Sequence, residues 1–225
     1  MADNYLENKF AEFERQQCKR KIKAVPTLDS LFLKNRSVRG FSQQRRVTAE
    51  ELKQIVAVNT RIASSKNQQA LRFRLVCEGA EADFVNANTK MGALFRARRA
   101  ADPAAPEEDF PSLPLKGAEP QAFIIVYGTH PEDASLLIDL GISLQSMSLK
   151  AVEMGLNCLM IRAFGREAIS SLVRSEPPLF PLAVLAVGSS AERIFLLPGR
   201  KPPLDYFRKE KIHYVPKLGL EDIII

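Results

Sequence analysis

Two arginines flank a serine in the segment Arg36-Ser37-Val38-Arg39. Arginine suits a phosphate group because its planar guanidinium donates paired hydrogen bonds and stays charged at neutral pH. The serine hydroxyl adds a donor, so the three polar side chains could converge on one anion. The alternative is an ordinary helix end, because basic residues are favoured at helix C-termini. On the local pattern alone, the helix-end interpretation is favoured.

Side-chain amides cluster in a second segment, Ser64–Gln69, which carries Asn67 and Gln69. An amide offers both donors and an acceptor, so it can complement the mixed edge of a uracil-like ring. The segment lies between a predicted helix and a predicted strand, where an ordinary polar turn is the alternative.

A third segment, Leu197–Pro203, presents Arg200 and Lys201 between prolines. We expect a rigid loop there, either supplying phosphate ligands or forming a basic surface. Neither role is favoured by the sequence.

Several other chemistries have no motif in this chain. His130 and His213 have no cysteine or acidic partner at zinc-ligand spacing. The sequence contains no Gly-x-Ser-x-Gly, Walker-type or Gly-x-Gly-x-x-Gly pattern, which argues against a hydrolase, a P-loop protein and a dinucleotide-binding fold. We therefore assign no catalytic side chain and no metal ligand.

The elements that must position these residues alternate irregularly between helix and strand. Thr48 and Glu51 form a capping box that opens a helix. The longest helix is predicted to start at Pro131 and to end at Gly155, with proline in its first turn and glycine beyond its end. Buried strands are predicted at Ala122–Tyr127 and Leu182–Val187. The order indicates an α+β domain, without a βαβαβ repeat.

Composition indicates a protein of the cytoplasm. The chain has 225 residues, three widely separated cysteines and an acidic start that does not resemble a signal peptide. Its net charge of +6 comes from dispersed basic residues, in a chain without tryptophan. Nucleic-acid binding is therefore a minor alternative, and no membrane partner is expected.

Taken in order, these segments resemble the nitroreductase family of FMN-dependent oxidoreductases. The family's Arg-Arg-Ser-x-Arg-x-Phe pattern is matched by Asn35–Phe41 except at its first position. Its Ser-Ser-x-Asn-x-Gln-Pro-Trp-x-Phe pattern is similar to Ser64–Phe73, with Ala70-Leu71 in place of Pro-Trp. Further similar segments are Glu50–Ile55, Asp139–Gln145, Met154–Ile161 and Pro181–Gly188.

The resemblance implies a three-layer α/β/α sandwich with a central, mostly antiparallel sheet, in a domain-swapped homodimer with FMN at the interface. Residues 27–225 would form the FMN-binding domain, and Leu220–Ile225 a strand that could join the partner's sheet. Residues 1–26 lie outside the resemblance, and the helical spacing of Leu6, Phe10 and Phe13 predicts a helical extension there. The cofactor-binding residues it implies are Arg36, Ser37, Arg39, Asn67, Gln69, Arg162, Ala163, Arg200 and Lys201.

The implied activity is hydride transfer from NADH or NADPH, through the flavin, to a nitroaromatic, a quinone or a similar small acceptor in ping-pong fashion. One departure from the family bears on this activity. Where the family often has Gly-Gly or Glu-Gly near flavin N5, this chain has Arg162-Ala163. A flavin-binding protein of the same fold with little reductase turnover, such as a sensor or carrier, is therefore the main alternative.

Overall fold

The computed structural model describes residues 25–90, 116–201 and 204–225. The predicted N-terminal extension lies outside the described residues except for its last two positions. Within the described ranges, none of the helices has the length and apolar character needed to span a membrane. The helices are α1 Leu28–Lys34, α2 Ala49–Val56, α3 Ala80–Ala87, α4 Ala134–Glu153 and α5 Arg166–Ser170. The strands are β1 Leu71–Cys77, β2 Ala122–Gly128, β3 Asn157–Ile161, β4 Phe180–Gly188, β5 Arg193–Gly199, β6 Phe207–Lys209 and β7 Ile212–Leu218.

Side-chain caps fix where the main helices begin. The predicted capping box opens α2: the Thr48 hydroxyl accepts from the Glu51 amide (3.2 Å), and the Glu51 carboxylate accepts from the Thr48 amide (3.0 Å). Helix α4 begins three residues later than Pro131, because the Asp133 carboxylate accepts from the Leu136 amide (2.8 Å) and caps the helix there.

Four strands form an antiparallel sheet in the order β1-β2-β4-β3. The central strands β2 and β4 are buried along almost their whole length, which explains their continuous apolar sequences. Helices α2 and α4 pack on one face of this sheet, and α3 and α5 pack on the other. The predicted three-layer sandwich is therefore confirmed.

A second, three-stranded sheet follows in the order β5-β7-β6, with β5 parallel to β7. The loop predicted for Leu197–Pro203 is wrong over Leu197–Gly199, which form the end of β5. The strand predicted for Leu220–Ile225 is also wrong. Leu220–Asp222 form a 3-10 turn, because the Asp222 carboxylate accepts from the Gly219 amide (3.2 Å) and closes the backbone.

Candidate functional site

Arg36 lies immediately beyond α1 and turns back onto that helix. Its Nε donates to the carbonyl of Leu33 (3.1 Å), and its Nη2 donates to the carbonyl of Phe32. These are terminal carbonyls that a helix cannot satisfy by itself. Partial burial lowers the pKa of this guanidinium from its ordinary value. In this structure Arg36 therefore has the helix-end role that the sequence favoured.

Ser37 and Arg39 share one side of an extended segment that runs beside β3. Ser37 forms a parallel bridge with Cys158, and the Val38 amide donates to the Cys158 carbonyl (3.2 Å). Val38 is buried, so its extended neighbours Ser37 and Arg39 point the other way. The Arg39 Nη1 donates to the Ser37 carbonyl (3.2 Å). The structure thus brings a hydroxyl and a guanidinium together on one face.

The buried carboxylate of Glu192 binds the backbone of this segment. Its Oε2 accepts from the backbone amides of Arg39 and of Gly40, the latter at 3.0 Å, while its Oε1 accepts from Nη2 of Arg208. The side chains of Glu192 and Arg208 are only 2% and 6% exposed. Sequence reasoning missed both residues, because neither belongs to a motif and each contacts residues far away in the chain.

Arg39 also lies against the second sheet. Its guanidinium carbon sits 4.6 Å from the centre of the Tyr206 ring, and the same ring meets His213 edge-on at 5.2 Å. Burial first, and then the charges of Arg208 and Arg39, lower the pKa of His213 to about 3. Burial, reinforced by Arg39, lowers the pKa of Arg208 to about 10. His213 is therefore neutral at physiological pH, and the arginines remain charged.

The segment with Asn67 and Gln69 is a tight, exposed turn. Lys66, Asn67 and Gln69 all have positive φ, at 49°, 53° and 48°. The turn is tied to α4, because the Ser65 amide donates to the buried Asp139 carboxylate (2.8 Å). Gln69 Nε2 donates to Asn67 Oδ1 (3.2 Å), so the two predicted ligands lie side by side. Next to them is a cavity of about 500 Å³, whose walls include Val56, Ile62, Leu71, Phe73 and Asp139.

These two candidate regions lie at diagonally opposite corners of the main sheet. Ser37 lies beside Cys158 of β3, which pairs with Val187 near one end of β4. The first residue of β1 lies across β2 from Phe180, at the other end of β4. At about 3.3 Å per residue along strands and 4.8 Å between them, the corners are about 23 Å apart along the strands and 19 Å apart across them. The structure does not bring Arg39 and Asn67 together within one chain.

Arg162 and Ala163 follow β3 directly. Arg162 Nη2 donates to both carboxylate oxygens of Glu132 (3.0 and 2.9 Å), and Arg166 lies 3.6 Å from the same carboxylate. The carbonyl of Ala163 accepts from the Lys90 amide (2.7 Å). Arg162 is thus held toward the start of α4 by an acidic partner that the sequence analysis did not identify.

Arg200 and Lys201 are exposed at the far end of β5. Since β5 is extended and Glu192 precedes it, Arg200 lies roughly 26 Å from Glu192 at about 3.3 Å per residue. Within one chain, these two basic residues do not join Arg36 and Arg39.

The sequence of residues 33–189 matches the model of the nitroreductase family, which covers well over half of the chain. The chain belongs to the nitroreductase family. The resemblance drawn from Asn35–Phe41 and the later segments is thereby confirmed.

Solved structures of nitroreductases share this fold. A mutant form of an FMN and NADPH-dependent nitroreductase from Sphingopyxis is 19% identical, with a TM-score of 0.59 over 88% of this chain and 98% of the other. A protein from Exiguobacterium sibiricum in complex with FMN is 16% identical, with a TM-score of 0.58 over 79% and 93%. An FMN-dependent nitroreductase from Clostridium difficile is 18% identical, with a TM-score of 0.53 over 74% and 89%. No curated protein sequence matches this nitroreductase family member.

Proposed function

We propose that this protein is a cytoplasmic FMN-dependent oxidoreductase that passes hydride from NADH or NADPH to a nitroaromatic, a quinone or a similar acceptor. The observation that carries the proposal is the pair of Ser37 and Arg39, joined by a hydrogen bond and fixed by the Glu192 carboxylate in a chain of the nitroreductase family. Bound FMN would supply the redox chemistry, accepting and returning a hydride. The protein's own residues bind, orient and shield it.

The phosphate end of FMN fits the segment around Arg39. The Arg39 guanidinium donates to the Ser37 carbonyl through Nη1, and a guanidinium has further N–H donors that can bind an anion. The exposed Ser37 hydroxyl is on the same face. Arg36 lies next to them and can reach the same anion by releasing the carbonyls at the end of α1.

The amide ligands fit the same cofactor only if two chains contribute to each site. Because Asn67 and Gln69 lie at the opposite corner of the sheet from Arg39, we propose a homodimer in which they serve the partner's FMN. The exposed side of α4 offers an apolar surface for that contact: Ile138 is 65% exposed and Ile142 is 37% exposed, with the bare helix surface at Gly141 between them. Arg200 and Lys201 would likewise reach a phosphate only at the partner's site.

The Arg162–Glu132 pair favours a second candidate, a flavin-binding protein with little reductase turnover. A long charged side chain beside the predicted N5 position narrows the space for a nicotinamide or an acceptor. Turnover with NADH and NADPH, against a nitroaromatic and a quinone, separates the two candidates. An enzyme reduces at least one acceptor at many turnovers per flavin, whereas a carrier does not.

The phosphate assignment is tested by the double variant Arg36→Ala with Arg39→Ala. We expect it to lose bound FMN, because the charged phosphate donors are gone. The visible absorption spectrum of the purified protein, and of the supernatant after heat denaturation, measures the flavin released per chain. Arg45→Ala with Arg46→Ala removes the same charge from a nearby loop and should keep its flavin. Stoichiometric FMN in the Arg36/Arg39 variant would contradict the assignment.

A further inference from the structure

We propose that Glu192 is the positioning residue of the anion-binding segment: it fixes the backbone at Arg39 and Gly40 and so sets the direction in which the Arg39 guanidinium meets a phosphate. The inference rests on the proposed function, since that function supplies the phosphate. The inference goes beyond the proposed function because the residue that sets the direction of Arg39 is a buried acid that does not touch the ligand.

Glu192 is itself held rigidly. Its backbone amide donates to the Ser190 hydroxyl (3.1 Å), and that hydroxyl donates to the Glu192 carbonyl (3.1 Å). On either side, the Ala191 amide donates to the Gly40 carbonyl (2.9 Å) and the Ser42 amide donates to the Ser189 carbonyl (2.8 Å). The two chain segments are therefore paired, and the carboxylate enters at a defined point.

The Glu192 carboxylate contacts the backbone of Arg39, the residue predicted to bind the phosphate. Amide donors to a carboxylate make stronger hydrogen bonds than neutral pairs do, and burial strengthens them further. The Arg39 amide donates to Glu192, and from this fixed backbone the Arg39 side chain reaches the Tyr206 ring, with its guanidinium carbon 4.6 Å from the ring centre. Arg208 holds the other carboxylate oxygen and prevents rotation.

If Glu192 only stabilised the fold, its contacts would be the same, but losing them would have a different consequence. The whole site would become less stable, and the binding of FMN and of riboflavin would weaken equally. A positioning role acts through the phosphate alone, so it weakens FMN and spares riboflavin, which has no phosphate.

The test is the variant Glu192→Gln, with dissociation constants for FMN and riboflavin measured by flavin fluorescence. We expect FMN binding to weaken about tenfold, from the loss of charge-assisted hydrogen bonds, and riboflavin binding to change by less than about twofold. Combined with Arg39→Ala, Glu192→Gln should have no further effect on FMN, because the residue it positions is absent. Glu51→Gln is the matched control: Glu51 also accepts from a backbone amide and an arginine, Arg45, but at the start of α2.

Because Glu192→Gln leaves Arg208 without its carboxylate, the conservative variant Glu192→Asp is measured alongside it. Aspartate keeps the charge, so the fold is retained, but its shorter side chain cannot hold both amides and Arg208. A selective loss of FMN affinity in either variant supports the proposal. Equal loss of FMN and riboflavin, or unchanged FMN binding, overturns it. Failure of the wild-type protein to bind FMN would instead overturn the proposed function.

Discussion

At the scale of single residues, buried charge is concentrated where the second sheet meets the Arg39 segment. Glu192, Arg208 and His213 are all buried, and Arg39 and Tyr206 complete the group. Desolvation is costly for each ionised member, so the group persists only where its partners are fixed. His213 avoids this desolvation cost by remaining neutral, since burial and the charges of Arg208 and Arg39 lower its pKa to about 3.

The lowered pKa of His213 predicts a specific pH dependence of stability. In the unfolded chain this imidazole titrates near its ordinary value of 6.5, whereas in the folded protein it does so near 3. Between these values the unfolded state binds the extra proton, so stability falls as the pH falls, by up to about 1.4 kcal/mol per pH unit. Above this window the residue contributes no slope.

Urea unfolding at a series of pH values measures this effect. His213→Gln removes the titrating group and should flatten the dependence between pH 6.5 and 3 relative to the wild type. An identical slope in the two proteins would show that folding does not shift the pKa of His213.

At the scale of elements, the end of β4 packs against Phe41, which directly follows the proposed anion-binding segment Ser37–Gly40. A methyl group added at Gly188 would lie 2.7 Å from the Phe41 ring, and that ring is fully buried. We therefore expect Gly188→Ala to lower the free energy of unfolding by about 1–3 kcal/mol, as overpacked cores do. It should also weaken FMN binding, because Phe41 follows Gly40 directly.

Gly165→Ala provides the contrast for Gly188→Ala in thermal and urea unfolding. A methyl group at Gly165 would meet its nearest atom at 3.6 Å, an ordinary van der Waals distance, and Gly165 has a φ of -72° that alanine can adopt. If the two variants unfold alike, the close packing of Phe41 against β4 does not contribute to stability.

The helices and strands of the main sheet region were predictable because their sequence signals are local. Thr48 and Glu51 predict the start of α2, and the apolar runs predict β2 and β4, which are buried on both faces. The second sheet was missed because β5 is half exposed and carries an arginine and a proline, which are typical of loops. In the candidate site, Arg39 was predicted from its motif and stays a prediction, whereas the role proposed for Glu192 depends on contacts that no local sequence pattern records.

At the scale of the whole molecule, the separation of the two predicted ligand groups is the reason for proposing a dimer. Arg39 and Asn67 occupy opposite corners of the sheet in one chain, so a site that used both residues would need two chains. The apolar side of α4 around Ile138 and Ile142 is the proposed contact between the two chains. Flavin content and dimer formation should therefore be lost together.

Mixed dimers test this arrangement directly. One chain carries Arg36→Ala with Arg39→Ala, and the other carries Asn67→Ala with Gln69→Ala. We expect neither variant to bind FMN alone, whereas the two chains co-expressed with different affinity tags should form a heterodimer with one intact site. The flavin absorbance of the doubly purified heterodimer gives the result. If every site is built from one chain, the heterodimer will be colourless.

The pairing of Arg39 with Glu192 spans 153 residues of sequence, and this has a consequence for biosynthesis. At translation rates of about 5–20 residues per second, Arg39 is made about 8–30 s before the acid that positions it. Strand β4, which lies between β2 and β3, ends only four residues before Glu192. The main sheet and the contact that fixes Arg39 therefore become available together, near the end of synthesis, and the proposed FMN site would form at that stage.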